Sequence, residues 1–285
     1  MSSLTAGIDI LQCFSSERPE LRVSDVARQL GVPKSTISRL MKDMLRHGLV
    51  EQDQSTRRYR PGPLAFRLGT LYQAHLKILD LVDAAVAALV EKFGLTGYIG
   101  VLNGSDVVIL RVRQGSYPVR FVLEPGYRVP AFTTAIGKAL LCRFDDEAVR
   151  DMHPPILHYD VTDFSTTVER LIEELAEARQ RRWTKAVETT FAGFGAIAVA
   201  VGGMDGQQPV AFCLSYPTNA TFEEQYDDMV EHLTAQASRI GLLSHDSFWT
   251  QPRDVAPGQD RNHAWPILPA KTIISKTALE REEET

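Results

Sequence analysis

Residues 23–59 read VSDVARQLGVPKSTISRLMKDMLRHGLVEQDQSTRRY, and this stretch decides the fold of the N-terminal part of the chain. Its apolar residues recur every three to four positions in two segments, which is the spacing of a buried helix face. Ser24 is a suitable N-cap for the first helix. Gly31 can end that helix in the left-handed conformation that a sharp turn requires, and Pro33 suits the first turn of the next helix. The stretch therefore predicts a helix-turn-helix.

The second of these helices has an apolar stripe and a polar face. The stripe consists of Ile37, Leu40, Met41, Met44 and Leu45. Side chains in the N-terminal half of such a helix reach base edges in the major groove of DNA. The residues that we expect to contact DNA from this helix are Lys34, Ser35, Thr36, Ser38 and Arg39.

A short basic hairpin is predicted directly after the second helix. Residues 49–50 and 57–60 have the pattern of two strands, and residues 53–56 that of the turn between them. We expect Arg57, Arg58 and Arg60 to contact phosphates or the minor groove. An amphipathic helical hairpin with a solvated basic face would explain the helices alone. The basic hairpin favours a DNA-binding winged helix-turn-helix.

The distribution of charge supports this interpretation. The 285 residues carry a net charge of −5, with 44% hydrophobic and 24% charged residues, as in ordinary globular proteins. Residues 1–62 are net +3 and the remainder is net −8. A basic head on an acidic body is typical of a DNA-binding module joined to a domain with another task.

Other classes of protein are disfavoured by what the sequence lacks. Cys13, Cys142 and Cys213 are far apart and form no C-x-x-C motif, so we expect free thiols in a reducing cytoplasm. No apolar run reaches membrane-spanning length, and the N-terminus has no signal-peptide pattern. His153 and His158 have no third ligand nearby, so we expect no metal site and no cofactor.

The remainder of the chain predicts a linker helix and an α+β domain with an antiparallel sheet. The domain boundary is expected at Pro61-Gly62-Pro63, and a helical pattern follows over residues 64–90. Asn103-Gly104 predicts a hairpin between two strands. Further strands are expected at residues 97–102, 106–113, 119–123, 195–201 and 209–216. Further helices are expected at residues 133–142, 145–152, 166–182 and 221–243, the last two opened by Thr166 and Thr221 as caps.

Taken together, these residues resemble the IclR family of bacterial transcriptional regulators. The resemblance covers about residues 5–245. In the head it rests on residues 27–31, 33–36, 39–40 and 48–50, and on Tyr59, Arg60 and Gly62. In the body it rests on residues 128–130, 134–141 and 193–198.

The resemblance implies a fold, a function and partners. It implies a winged helix-turn-helix at residues 1–62, a linker helix at residues 63–80 and a GAF-like effector-binding domain at residues 81–248. Residues 249–285 lie outside these domains, and we expect a mostly unstructured tail. The implied protein is a repressor or activator that binds double-stranded operator DNA as a homodimer or homotetramer. It responds to a small organic or aromatic acid.

The effector pocket implied in this sequence lies between residues 130 and 215. Its expected residues are Thr134, Ala135, Gly137, Glu188, Phe194, Ala196, Cys213 and Ser215. Cys213 and Ser215 are two apart on a predicted strand, so they face the same side of the sheet. Arg128 is a further charged candidate. Phe132, Trp183, Phe191 and Phe194 make this region more aromatic than a pocket for glyoxylate or pyruvate requires.

Three alternatives are weaker. Gly137-Lys138 is not a phosphate loop, because Phe132 and Ala139 occupy positions where that motif needs glycine and Ser or Thr. An enzyme built on the C-terminal domain with a vestigial head would need a nucleophile and base, or a metal set, and no such motif is found. A head that serves only protein contact would not require so many Lys and Arg on one helix face.

Overall fold

The computed structural model of this chain describes residues 2–15, 18–120, 122–204, 207–218 and 223–251. The chain forms two compact units, Met1–Lys77 and Ile78–Thr285. Among the described residues, no helix has the length and apolar character needed to cross a bilayer. The unstructured tail expected from residue 249 is wrong for its first residues, because Ser247–Thr250 is helical and Trp249 is buried. Residues 252–285 lie outside the described residues.

The first unit is a three-helix core with a two-stranded wing and one further helix. Its elements are α1 Ser3–Gln12, α2 Val23–Leu30, α3 Lys34–Arg46, β1 Val50–Gln52, β2 Tyr59–Pro61 and α4 Pro63–His75. Ile10, Val26, Ile37 and Met41 are fully buried at the centre of this core. The helical spacing of apolar residues thus places α1 behind the α2–α3 pair.

The turn between α2 and α3 depends on Gly31. Its φ of 64° is left-handed, and its backbone N–H donates to the Ala27 carbonyl. The expected cap at Ser24 is wrong, because α2 begins at Val23 and the cap residue is Arg22, which makes no side-chain cap bond. Two backbone hydrogen bonds between Leu21 and Tyr59 fix the chain just before α2. This explains why α2 begins one residue before Ser24.

The wing is attached to the end of α3 where two glycines meet. Gly62 donates its backbone N–H to Leu49, at 2.9 Å, and the Gly48 carbonyl accepts from Leu64, at 3.0 Å. A Cβ atom on Gly62 would overlap the Gly48 carbonyl oxygen and the backbone of Val50. The position of the wing beside α3 therefore requires glycine at residue 62.

The second unit is built on a six-stranded antiparallel sheet. Its helices are α5 Leu79–Phe93, α6 Ala135–Leu141, α7 Asp146–Met152, α8 Val168–Arg181, α9 Glu223–Leu243 and α10 Ser247–Thr250. Its strands are β3 Thr96–Asn103, β4 Asp106–Arg113, β5 Arg128–Pro130, β6 Ile156–Tyr159, β7 Phe164–Thr167, β8 Thr184–Val187, β9 Phe194–Val201 and β10 Val210–Pro217. The sheet order is β5-β4-β3-β10-β9-β8, and β6 and β7 pair separately. The α+β class is confirmed.

The sheet has helices on both faces. Helices α5 and α9 pack against each other and contact strands β3, β10 and β9. Helix α6 packs on the opposite face, where Ile136 and Leu140 join a buried cluster with Leu171 and Leu175 of α8. The expected hairpin is confirmed, since Gly104 has a φ of 63° in the turn between β3 and β4.

Three sequence expectations are corrected by the fold. Residues 119–123 form no strand in the part described, because the chain rejoins the sheet edge only at β5, after a turn in which Tyr127 bonds to Glu124. Thr167 rather than Thr166 caps α8, since its hydroxyl accepts from the Arg170 backbone. The helix expected over residues 64–90 is interrupted after His75, where Leu76 leaves the helical conformation.

Other differences are smaller. Strands β6, β7 and β8 were not predicted from the sequence. Helix α6 is shorter than expected, because residues 131–133 form a separate 3₁₀ turn before Thr134 caps it. The expected cap at Thr221 lies outside the described residues.

We predict that Gly62→Ala destabilises the first unit by about 1–3 kcal/mol, because the new methyl group overlaps backbone that cannot move away. Hydrogen–deuterium exchange on the full chain should show the amides of α3 losing about 5- to 150-fold of their protection. Gly69→Ala is the matched control. Gly69 lies in α4, and apart from its chain neighbours and its own helix backbone no described atom lies within 4 Å of the added methyl, so we expect this variant to gain about 0.5–1 kcal/mol in stability. Unchanged protection in Gly62→Ala would contradict the packing role.

Candidate functional site

Helix α3 presents the predicted polar residues on its outer face. Lys34, Ser35 and Arg39 are exposed, and Thr36 and Ser38 are half-buried at the margins of that face. The side chains opposite them are part of the buried core described above. No ion pair holds Lys34 or Arg39 within the described part of the chain, so both cations remain available to a ligand.

The wing is shaped by a single carboxylate at its turn. The Oδ1 atom of Asp53 accepts from the Ser55 backbone, the Ser55 hydroxyl and the Thr56 backbone, at 2.8, 2.6 and 2.7 Å. The hydrogen bond from the Ser55 hydroxyl is the largest reason why the pKa of Asp53 is lowered. This contribution is therefore present above about pH 4, the ordinary range of the group, and is lost as the pH falls through the lowered pKa.

The three arginines of the wing differ in their surroundings. Arg57 is in the turn with a φ of 57°, and neither it nor Arg58 has an ion pair among the described residues. Arg60 lies opposite Glu51 in the β1–β2 register, and its Nη2 atom is 3.1 Å from a carboxylate oxygen. Arg57 and Arg58 are therefore the uncompensated cations of the wing, and the charge of Arg60 is partly balanced.

The second unit contains a cavity of about 70 Å³ between α6 and the inner face of the sheet. Six of the eight residues expected in the effector pocket line it. They are Thr134, Ala135, Phe194, Ala196, Cys213 and Ser215. Cys213 and Ser215 face the same side of β10, as the alternation of the strand predicts.

Gly137 and Glu188 do not line this cavity, and the structure corrects both expectations. Gly137 faces the backbone of Ala131, where any Cβ atom would overlap it, so the glycine serves close packing. Glu188 is exposed with a φ of 55°, and its carboxylate accepts from the Thr218 hydroxyl at 2.5 Å. Arg128 is also outside the lining and pairs with Asp106 at 3.0 Å.

The four aromatic residues that the sequence groups together have separate positions. Phe191 and Phe194 line the cavity. Phe132 stacks on Phe164 with ring centroids 6.1 Å apart, and Trp183 lies under the Arg181 guanidinium. Two of the four therefore line the cavity, and the other two are outside its described lining.

Several lining residues were not predicted from the sequence, notably Tyr98, Ile109, Ile136 and Thr190. Tyr98 comes to the cavity because it lies directly opposite Cys213 in the β3–β10 register. Strand alternation could have identified it only if that register had been known.

The cavity is electrically neutral. None of the described residues that line it is Asp, Glu, Lys, Arg or His. Burial raises the pKa of the Cys213 thiol to about 12 and also raises the pKa of Tyr98, so both stay protonated near pH 7. Among the described residues, no cluster of three or more His, Cys, Asp or Glu could hold a metal ion. The described lining therefore contains no charged acid–base pair.

Comparison with known proteins agrees with this geometry. The family model for the IclR helix-turn-helix domain matches residues 3–54. The model for the C-terminal domain of the bacterial transcriptional regulator IclR matches residues 70–242. The first covers α1 to β1 and ends before β2, and the second includes every described residue that lines the cavity.

Individual relatives are distant but cover most of the chain. The regulator XynR of Escherichia coli K12 is 24% identical over 82% of this chain and 93% of its own length. The regulator KdgR of the same organism is 26% identical over 84% and 91%. The crystal structure of an IclR homologue from Microbacterium hydrocarbonoxydans, in complex with 4-hydroxybenzoate, shares the fold with a TM-score of 0.73. It is 21% identical and covers 85% of this chain and 98% of its own.

We predict that Asp53→Ala loosens the wing, because it removes the acceptor of three hydrogen bonds. The amides of Ser55 and Thr56 should exchange with solvent at least several times faster than in the wild type, measured by NMR at neutral pH. Gln54→Ala is the control, since Gln54 is exposed at the same turn and makes no hydrogen bond among the described residues. Equal exchange rates in all three proteins would show that Asp53 does not hold the turn.

Proposed function

The chain belongs to the IclR family of bacterial transcriptional regulators, and from this premise we propose how its parts divide the work. Residues 1–62 bind operator DNA, residues 63–80 link the units, and residues 81–248 bind a small effector. The regulator responds to the effector through a change in the population of DNA-competent arrangements. The proposal is supported by an exposed basic helix face in the first unit and, in the second, a cavity with no charged residue among its described lining residues.

In the first unit, helix α3 enters the major groove with Ser35, Ser38 and Arg39 towards the base edges. Lys34 and Thr36 lie at the phosphate side of the same turn. Arg57 and Arg58 of the wing contact the DNA phosphates or the minor groove. Arg60 contributes to the same contact from β2. The single observation that carries this assignment is the pairing of a cationic outer face with a buried apolar face on one helix.

In the second unit, the cavity beneath α6 receives the effector. The residues that contact it are Thr134, Ala135, Phe194, Ala196, Cys213 and Ser215, whereas Gly137 and Glu188 lie outside the described lining. A small organic or aromatic acid remains the proposed class. The relative from Microbacterium hydrocarbonoxydans, whose structure holds 4-hydroxybenzoate, supports the aromatic alternative.

We propose that the protein acts as a homodimer or homotetramer in the cytoplasm. Helix α4 has no buried residue, and Phe66, Leu68 and Leu71 are 78%, 54% and 57% exposed. Apolar side chains exposed to this degree suit a contact with a second copy. The three free cysteines suit a reducing compartment. A monomer in sedimentation equilibrium at micromolar concentration would contradict the oligomer.

Footprinting on the DNA upstream of the gene tests the function directly. The purified protein should protect a defined site at low salt. The absence of any protected site, with and without candidate effectors, would exclude operator binding.

We predict that two arginine variants weaken operator binding in different ways. Arg39→Ala should cost about 1–3 kcal/mol on the operator if Arg39 reads a guanine, and little on unrelated DNA. Arg58→Ala should weaken binding to all sequences and reduce the slope of log K against log salt by about one phosphate contact. Binding isotherms at several salt concentrations separate the two.

Arg170→Ala is the charge-matched control for both variants, because Arg170 is exposed on α8 and its ion pair among the described residues is with Glu173. It should bind DNA like the wild type. Equal losses on operator and unrelated DNA in Arg39→Ala would rule out base recognition by this residue.

We predict that Ala196→Leu fills the cavity and removes the response to effector while DNA binding without effector is retained. A thermal-shift assay with 4-hydroxybenzoate and with pyruvate measures the effect, since a bound ligand raises the stability of the folded protein. The wild type should gain stability with at least one of the two probes, and Ala196→Leu with neither. Ala192→Leu, at an exposed loop position, should behave like the wild type. An undiminished shift in Ala196→Leu would place the effector elsewhere.

A further inference from the structure

The six-stranded sheet ends at β8, and within the described part of the chain no further strand pairs with its outer edge. An edge of this kind presents backbone N–H and C=O groups that can pair with another extended segment. Folded proteins commonly cover such an edge, because an open edge also pairs with strands of other molecules. The outer edge of β8 is therefore a binding surface for one more strand.

The backbone groups on this edge belong to Lys185 and Val187. In an antiparallel pair, residues that bond to the neighbouring strand alternate with residues whose backbone points away from it. The Glu188 N–H donates to the Phe194 carbonyl at 2.8 Å, so Ala186 also bonds to β9 and the residues on either side of it face outwards. Lys185 and Val187 are exposed, and within the described residues neither makes a backbone hydrogen bond outside the β8–β9 ladder. Two N–H and two C=O groups thus remain for a partner strand.

A groove of about 250 Å³ lies between this edge and α8. It has more than three times the volume of the cavity beneath α6, and Ala186 of β8 lies between the two. All four residues of β8 line the groove on one side. On the other side it is lined by one face of α8, with Glu174, Leu175, Glu177, Ala178 and Arg181. A backbone edge beside a helix face suits an extended peptide segment, whose main chain pairs with the strand.

The groove carries a small excess of positive charge. Its charged lining residues are Lys138, Arg181, Lys185, Glu174 and Glu177. The Lys138 ammonium is 2.8 Å from a Glu174 carboxylate oxygen, so these two charges balance each other. Lys185 has no ion pair among the described residues. The β8 side of the groove therefore attracts an occupant with acidic residues.

The chain that follows α9 already covers the neighbouring part of the same sheet edge. Strand β9 extends past the start of β8, and there the Trp249 indole N–H donates to the Ala200 carbonyl at 2.8 Å. The Gly202 N–H donates to the Asp246 carboxylate at 2.6 Å. These side chains take the place of a strand at the part of β9 that β8 does not reach.

The described chain then reaches the start of β8. The Gln251 carbonyl accepts a hydrogen bond of 2.6 Å from the Arg182 guanidinium. Arg182 precedes Lys185 by three residues, so their backbones are at most about 11 Å apart. The sequence after Gln251 therefore begins close to the groove.

One stretch of the sequence after Gln251 has the composition of a strand. Four prolines interrupt residues 252–269, and proline is disfavoured within a paired strand. Residues 270–276 read AKTIISK, with three β-branched residues in succession and neither proline nor glycine. The eighteen residues 252–269 have a flexible reach of about 20–25 Å, which is enough to bring this stretch to β8. Four glutamates follow it, at positions 280 and 282–284, and they complement the positive groove.

We propose that residues 270–276 of the same chain occupy the groove and add a strand to the outer edge of β8. The backbone groups of Lys185 and Val187 pair with this strand, and the glutamates that follow it meet the charges of Arg181 and Lys185. This role goes beyond DNA binding and effector binding and depends on neither.

Hydrogen–deuterium exchange of the full chain tests the pairing through the four amides of β8. Strand β9 protects two of them, those of Thr184 and Ala186, with or without an occupant. The added strand should protect the other two, so the wild type should show four slow amides. Ile274→Pro blocks strand pairing and should leave two slow amides, with the others exchanging at least about 10-fold faster. Ala264→Pro, between prolines outside the segment, is the matched control and should keep four.

Two rapidly exchanging amides in wild-type β8 would show that the edge is open and would overturn the proposal. Four slow amides in Ile274→Pro would also overturn it, because the edge would then be covered by another occupant, such as β8 of a second copy. Dilution from about 50 µM to about 1 µM should leave the protection unchanged, since the local concentration of a tethered segment does not depend on dilution. Protection that is lost on dilution contradicts pairing within one chain.

A charge reversal tests the contact with the glutamates. Lys185→Glu should weaken docking, so that the Val187 amide exchanges about 2- to 5-fold faster than in the wild type at low salt, with a smaller difference at high salt. Arg170→Glu, on an exposed part of α8, is the matched control and should leave this amide unchanged. Equal exchange of Val187 in Lys185→Glu and in the wild type at low salt would contradict the electrostatic contact.

Discussion

The contact on which the effector unit depends is the close approach of α6 to the 3₁₀ turn before it. Gly137 permits this approach because no Cβ separates it from the backbone of Ala131. The carbonyl groups thereby exposed are satisfied from distant parts of the chain. Thr184 donates to Ala135, at 2.7 Å, while Thr189 and Thr190 both donate to Thr133. The packing at Gly137 thus holds α6, the start of β8 and the loop with Thr189 and Thr190 around the cavity.

In the DNA-binding unit, too, a glycine allows two backbone segments to pack closely. There, Gly62 passes against Gly48, and the contact attaches the wing to the end of α3. The wing turn is then shaped by Asp53, which holds Arg57 and Arg58 at the tip. Because the two recognition surfaces are positioned before DNA arrives, less conformational entropy is lost on binding. In this unit the rigid backbone positions cationic side chains, whereas in the effector unit it positions an uncharged cavity lining.

The neutral cavity lies in a unit that contains many charges, and these are paired elsewhere. Arg143 holds Asp246 with two bonds of 2.9 and 2.6 Å, and the same carboxylate accepts from the Gly202 backbone. Lys138, although on α6, points away from the cavity and pairs with Glu174 at 2.8 Å. Each of these charges lies against an opposite charge, and none of the four residues is among the described lining of the cavity.

The sequence alone determined what depends on neighbours within a few residues. The apolar period of α3, the left-handed Gly31 and the Asn103-Gly104 hairpin all follow from local backbone and solvent preferences, and so does the basic outer face. The tertiary structure decided what depends on register between distant strands. It brought Tyr98 opposite Cys213, and it left Gly137 and Glu188 outside the described lining of the cavity. The described residues within 119–123 form no strand. A residue's local pattern gives its face of a strand or helix, but only the packed chain determines which other residues share that face.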